Sequence, residues 1–208
     1  MEETFTIFST KENYMKKPNQ KIIVNDLEKK YSWLYIFFFW AKWLFPKAKH
    51  LPLHYLIYHI FFQKVLRING SVGWPVHYTS RILFKENITI GYNSAPGINS
   101  GCYVQGRAGI TIGNNLRMGP CCGLISANHN IENYDEWIDE GPIIIGNNVW
   151  LGMGVVILPG VSIGNNVVIA ANSVVNKNIP SNVIAGGIPC KVIKEKSEYK
   201  GIDYSNIQ

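Results

Sequence analysis

One histidine stands apart from the rest. His129 is the only histidine after His77, and it sits in Ala127–Pro142, ANHNIENYDEWIDEGP, among Glu132, Asp135, Glu136, Asp139 and Glu140. An imidazole ionises near a pKa of about 6.5. At neutral pH it can therefore take the proton of an alcohol, a poor nucleophile on its own, and such general-base help gives about 10²–10⁴ in rate. The plainer reading is that His129 caps a turn. A working base needs its second ring nitrogen held. Glu132 and Asp135 are the nearest acids, unless they serve only to solvate the segment. Asn128, Tyr134 and Trp137 offer polar and aromatic contacts to an acceptor. His50, His54 and His59 have no carboxylate neighbours in sequence and read as structural or interfacial, and so does His77 in GSVGWPVHYTSR.

A rigid frame has to carry that segment, and the chain supplies a six-residue rhythm. Ile145, Leu151, Ile157, Ile163, Ile169 and Val175 are six apart. A second row runs Ile143, Val149, Val155, Val161, Val167, with Ser173 interrupting before Ile179. Earlier come Ile98, Val104, Ile110, Leu116 and the parallel row Ile112, Met118, Leu124. Six matches neither the helical period nor the strand period, so it predicts short extended pieces with a turn between them, stacked coil on coil. One aliphatic per hexad is expected to point inward, each worth about 1.5–3 kcal/mol when buried. Gly91, Gly97, Gly113, Gly119 and Gly123, with Asn147-Asn148 and Asn165-Asn166, are expected at corners. Ala127–Pro142 has no such row and is expected to loop outward, where side chains with chemistry usually sit.

Ile143–Gly160 reads IIIGNNVWLGMGVVILPG and Val161–Ala171 reads VSIGNNVVIAA. Over roughly residues 80–196 the chain resembles the hexapeptide-repeat acyltransferases, especially the galactoside, maltose and serine acetyltransferase branch. The resemblance implies a mainly β fold, a left-handed parallel β-helix, with an α-helical amino-terminal segment and an extruded loop. The left hand comes from the resemblance, since general crossover rules favour the right. It implies that the catalytic histidine lies at the start of the loop, which is His129. It implies acetyl-CoA bound outside the coils between two subunits of a homotrimer. Trp150 and Gly152 in NNVWLGMG match the family's segment after the loop, and Ala170 and Ala171 in IAANSVV match the one facing the pantetheine arm. Lys191, with Gly187 and Pro189 in AGGIPCKVIK, matches the lysine that meets CoA phosphate, and Lys177 is a second candidate. Asn99, in NSAPGINSG, is a candidate acceptor contact across a subunit boundary.

The implied activity is O-acetylation of a sugar hydroxyl, on a surface-polysaccharide precursor. Serine O-acetylation and amino-sugar N-acetylation are the neighbouring alternatives, and a non-enzymatic β-helix module is the alternative of another class. No metal is expected, because the metal-dependent β-helices need three histidines around the coils and only His129 lies there. The four cysteines form no CxxC pair, and Cys102, Cys121 and Cys122, inside the coil pattern, read as small buried or corner residues.

The net charge of +6 is uneven. Residues 1–67 hold 11 Lys+Arg against 5 Asp+Glu, and the remainder balances at 9 and 9, so no nucleic-acid partner is expected. The expected parts are a helical, aromatic-rich segment 1–69, the β-helix 70–196 with its loop 127–142, and a tail 197–208. Tyr31–Phe45, YSWLYIFFFWAKWLF, is too short to span a bilayer and ends at Pro46. Residues 31–66 read either as helices packed on the β-helix or a neighbouring subunit, or as a peripheral membrane contact. No secretion signal is visible, so a cytoplasmic location, with that peripheral contact at the inner face, is the expectation.

Overall fold

The six-residue rows become three flat walls. The computed structural model describes residues 41–48, 53–138, 140–202 and 204. Most of the aromatic run, and the membrane reading attached to it, lies outside the described residues.

The first wall stacks β1 (Arg81–Leu83), β3 (Tyr103–Gln105), β6 (Gly123–Ile125), β11 (Val156–Ile157) and β14 (Val174–Val175) in parallel. The second stacks β2 (Ile88–Ile90), β4 (Ile110–Ile112), β9 (Ile143–Ile145) and β12 (Ser162–Ile163). The third holds β5 (Arg117–Met118), β10 (Trp150–Leu151), β13 (Val168–Ile169) and β15 (Val183–Gly186), closed by antiparallel β16 (Lys191–Glu195). The chain visits the walls in rotation, so each strand pairs with one in the next coil.

Two residues of each hexad face inward, not the expected one. Val149 and Leu151 are buried while Trp150 between them is exposed, and Ile143, Ile144 and Ile145 repeat the alternation. Strand alternation survives inside the longer repeat, so both aliphatic rows line one continuous core. Ser173 takes an inward place in that row. Its hydroxyl donates to Ala170 O (2.7 Å) and accepts from Gly187 N–H (3.0 Å), which makes its burial tolerable.

The corner between the second and third walls carries Gly-Asn-Asn. The second asparagine of each pair is left-handed, with φ 62° at Asn115, 56° at Asn148 and 58° at Asn166. Asparagine bears this conformation better than other residues with a Cβ. Their amides form a ladder: Asn115 Nδ2 donates to Asn148 Oδ1 (2.8 Å), and Asn166 Nδ2 to Asn182 Oδ1 (2.7 Å). Gly123 is not a corner. It lies inside β6, and the turn before it is made by Cys121, whose φ is 56°.

Below the first coil, Val72, Trp74 and Val76 plug the open end. Two helices, α1 (Ala41–Leu44) and α2 (Leu53–Ile60), lie against this end. Leu56 and Phe45 are buried there, and His59 reaches Tyr55 O (2.7 Å) and Ile98 O (3.3 Å). His77 is held between Thr79 Oγ1 and Tyr58 Oη, and burial with nearby His59 lowers its pKa. No described helix is long and apolar enough to cross a membrane. At the other end residues 196–202 and Tyr204 lie back along the asparagine corner. Tyr199 Oη accepts from Asn115 Nδ2, and Tyr204 O accepts from Asn114 Nδ2.

Candidate active site

Coil length locates the interruption. Stacked corner partners are 18 residues apart at Asn147–Asn165 but 33 apart at Asn114–Asn147. The surplus leaves the corner between the first and second walls as a hairpin, with β7 (Asn128–His129) antiparallel to β8 (Trp137–Ile138). A wall of fixed strand length cannot absorb it, because that would push the next aliphatics off the core.

The hairpin's root is pinned by a residue that sequence reasoning missed. Gln105 is buried in β3, one coil below. Its Nε2 donates to Ala127 O (3.1 Å), and its Oε1 accepts from Ala127 N–H and Ser126 N–H (3.1 Å each). A buried carboxamide must find partners. Those available are the last wall residues before His129. The signal in the sequence was a polar residue next to inward Val104.

His129 itself is exposed, and His129 and Trp137 face each other across the hairpin with ring centroids 3.9 Å apart. Arg107, on the same corner one coil below, lays its guanidinium 4.1 Å over the Trp137 ring and 5.7 Å over that of Phe84. Neither Glu132 nor Asp135 orients the imidazole, which has no hydrogen-bond partner among the described residues. The acid that shapes the hairpin is Glu136, whose carboxylate accepts from Asn130 Nδ2 (3.2 Å) and Asn133 Nδ2 (2.9 Å). Asn128 sits beside His129 on the strand. Tyr134 is 75% exposed at the far tip, away from the Trp137–His129 contact.

The other candidates gather elsewhere. Trp150 is 57% exposed on the third wall, in register with Arg117 and Val168. Gly152, Ala170 and Ala171 form the corner between the third and first walls. A Cβ on Gly152 would lie 2.6 Å from Ala171 N, so only glycine lets these coils approach. Asn99 stands in the same corner column, its Nδ2 donating to Met118 O (2.5 Å) and its Oδ1 accepting from Tyr55 Oη (3.4 Å). Lys191 opens β16 opposite Gly186, beside Ala170. Lys177 is on the other column, above the hairpin's corner. One chain thus brings Trp150, Gly152, Ala170, Ala171, Lys191 and Asn99 to one side of the prism and His129 to another.

Three of the four cysteines are buried, and Cys121 is exposed. Burial pushes the Cys122 thiol up to about 11 and raises Cys102 and Cys190 as well. No described trio of His, Cys, Asp or Glu side chains forms a metal-binding group.

Residues 142–177 match the family described as bacterial transferase hexapeptide (six repeats). A galactoside acetyltransferase solved in complex with coenzyme A shares 38% identity and a TM-score of 0.55, over 63% of this chain and 68% of that one. The chain belongs to the hexapeptide-repeat transferase family. Its prism is the left-handed parallel β-helix of that family. A maltose O-acetyltransferase from Clostridium difficile 630 is 37% identical with a TM-score of 0.51, over 57% of this chain and 64% of that one. The galactoside O-acetyltransferase of Escherichia coli K12 is 41% identical over 132 residues, 61% of each chain. The chain spans about three fifths of the length of the curated relatives it matches.

Proposed function

We propose that the protein is an acetyl-CoA-dependent O-acetyltransferase acting on a sugar hydroxyl, and that the sugar belongs to a surface-polysaccharide precursor in the cytoplasm. The observation that carries the reading is His129, the one exposed imidazole among the side chains the structure describes, delivered by the one hairpin that breaks the described coils, on a prism like that of an acetyltransferase holding coenzyme A. His129 takes the acceptor's proton as the hydroxyl oxygen attacks the thioester carbonyl. The carbon–sulfur bond then breaks, the imidazolium returns its proton to the leaving thiolate, and the products are an acetyl ester and free coenzyme A. Trp150, Gly152, Ala170 and Ala171 line the donor's path, and Lys191 and Lys177 meet its phosphates as point charges. Asn99, Asn128 and Tyr134 contact the acceptor.

Donor side and base lie on different columns of one chain, which supports a homotrimer in which neighbouring copies complete each site. The test is thiol release from acetyl-CoA over a panel of sugars and serine. Wild type is expected to release thiol with sugars. His129→Ala is expected to lose about 10²–10⁴ in kcat with the fold intact. Full activity in that variant would refute the assignment.

A further inference from the structure

Arg107 carries more charge than its structural job requires. A guanidinium over an exposed indole contributes only about 0.5–1 kcal/mol, and any long cation would serve to pin Trp137. Its side chain is exposed, and no described carboxylate pairs with it. Its backbone is fixed, since Arg107 O accepts from Asn87 Nδ2 (3.1 Å). Stacking on a ring uses the guanidinium face and leaves the N–H fork at the edge free. That fork matches a carboxylate or phosphate in two-point contact. Its place is decisive, because the Trp137 ring touches both the guanidinium and the His129 ring. Among the described residues no acid of the hairpin pairs with the guanidinium, and Glu136 is engaged by Asn130 and Asn133.

We infer that Arg107 is an anion anchor for the acceptor, so that the hydroxyl presented to His129 belongs to an acidic sugar, one bearing a carboxylate or a phosphate. This rests on the acetyl-transfer reading above. The anchor grips the acid group, the sugar lies along the indole, and a hydroxyl is left facing the imidazole.

The test compares p-nitrophenyl β-D-glucuronide, galactose 1-phosphate and p-nitrophenyl β-D-galactoside with wild type, Arg107→Gln and Arg107→Lys. Wild type is expected to prefer at least one acidic acceptor. Arg107→Gln is expected to lower the acidic-to-neutral ratio of kcat/KM by about 10–100-fold, the range for a charged hydrogen-bonded contact. Arg107→Lys is expected to fall between, keeping charge but losing the fork. The glucuronide and phosphate arms show which acid group is read. An equal loss on all three acceptors would make Arg107 only a pin for the hairpin and would overturn the inference, as would a wild type preferring the neutral sugar. Calorimetric binding of the same compounds needs no turnover. Acid-selective binding that Arg107→Gln abolishes would uphold the anchor even if acetyl transfer failed, and its absence would overturn it.

Discussion

Replacing Gln105 with leucine should separate the fold from the chemistry. The side chain is close in volume, so the wall around Val104 and Leu124 stays filled. What disappears is the carboxamide. Ser126 N–H keeps a second acceptor in Gln105 O (3.1 Å), but Ala127 N–H and Ala127 O lose their partners. Ala127 is buried, so each orphaned group costs about 1–3 kcal/mol. Two such groups total roughly 2–6 kcal/mol if the backbone holds still, a large part of the roughly 5–15 kcal/mol of a typical domain. The root can also move outward to find water. Stability then suffers less and His129, two residues on, is displaced. A misplacement of about 1 Å costs on the order of 10² in rate. Melting should therefore fall by several degrees, kcat should drop about 10–100-fold, or both should occur. Gln105→Glu keeps the acceptor for both N–H groups, faces Ala127 O without a donor, and should fall between. The assay is thermal unfolding beside thiol release, corrected for the exposed Cys121. Turnover within twofold of wild type together with an unchanged melting point in Gln105→Leu would refute the idea that this amide pins the root of the hairpin.

Two further expectations concern the prism. Gly152→Ala puts a Cβ against the backbone of Ala171, which cannot yield as a side chain would, and overpacking of this kind costs about 1–3 kcal/mol. Its melting point should drop by several degrees, while Gly73→Ala, with nothing within 4 Å of the new Cβ, should melt like wild type. The second concerns alkaline pH. Cys122 holds its proton to about 11 when folded, against an ordinary 9.0. Below pH 9 both states are protonated and the contribution is whole. Between 9 and 11 only the unfolded chain sheds the proton, so stability falls as pH rises. Melting scans across that window should show a shallower fall in Cys122→Ala than in wild type, and equal slopes would contradict the assignment.

The chain's order of residues was enough for the prism. Inward aliphatics every six residues and Gly-Asn-Asn at the turns are local properties, and each hexad can satisfy its own geometry whatever its neighbours do. It was also enough to show that Ala127–Pro142 must leave the wall and that His129 leaves with it. Burial of two aliphatics per hexad, and of Ser173, was half visible, because the second row was readable but its direction was not. What faces outward is another matter. Gln105 and Arg107 look like ordinary polar residues after a strand, and Trp137 like one more aromatic in an acidic loop. They meet only because successive coils differ in length, 22 residues between Gln105 and Ala127 and 33 across the hairpin, and that offset decides which outward side chains share a corner. Hydrogen bonds and ring contacts act over a few ångströms, so they belong to the stacked coils. No periodicity along the chain records them.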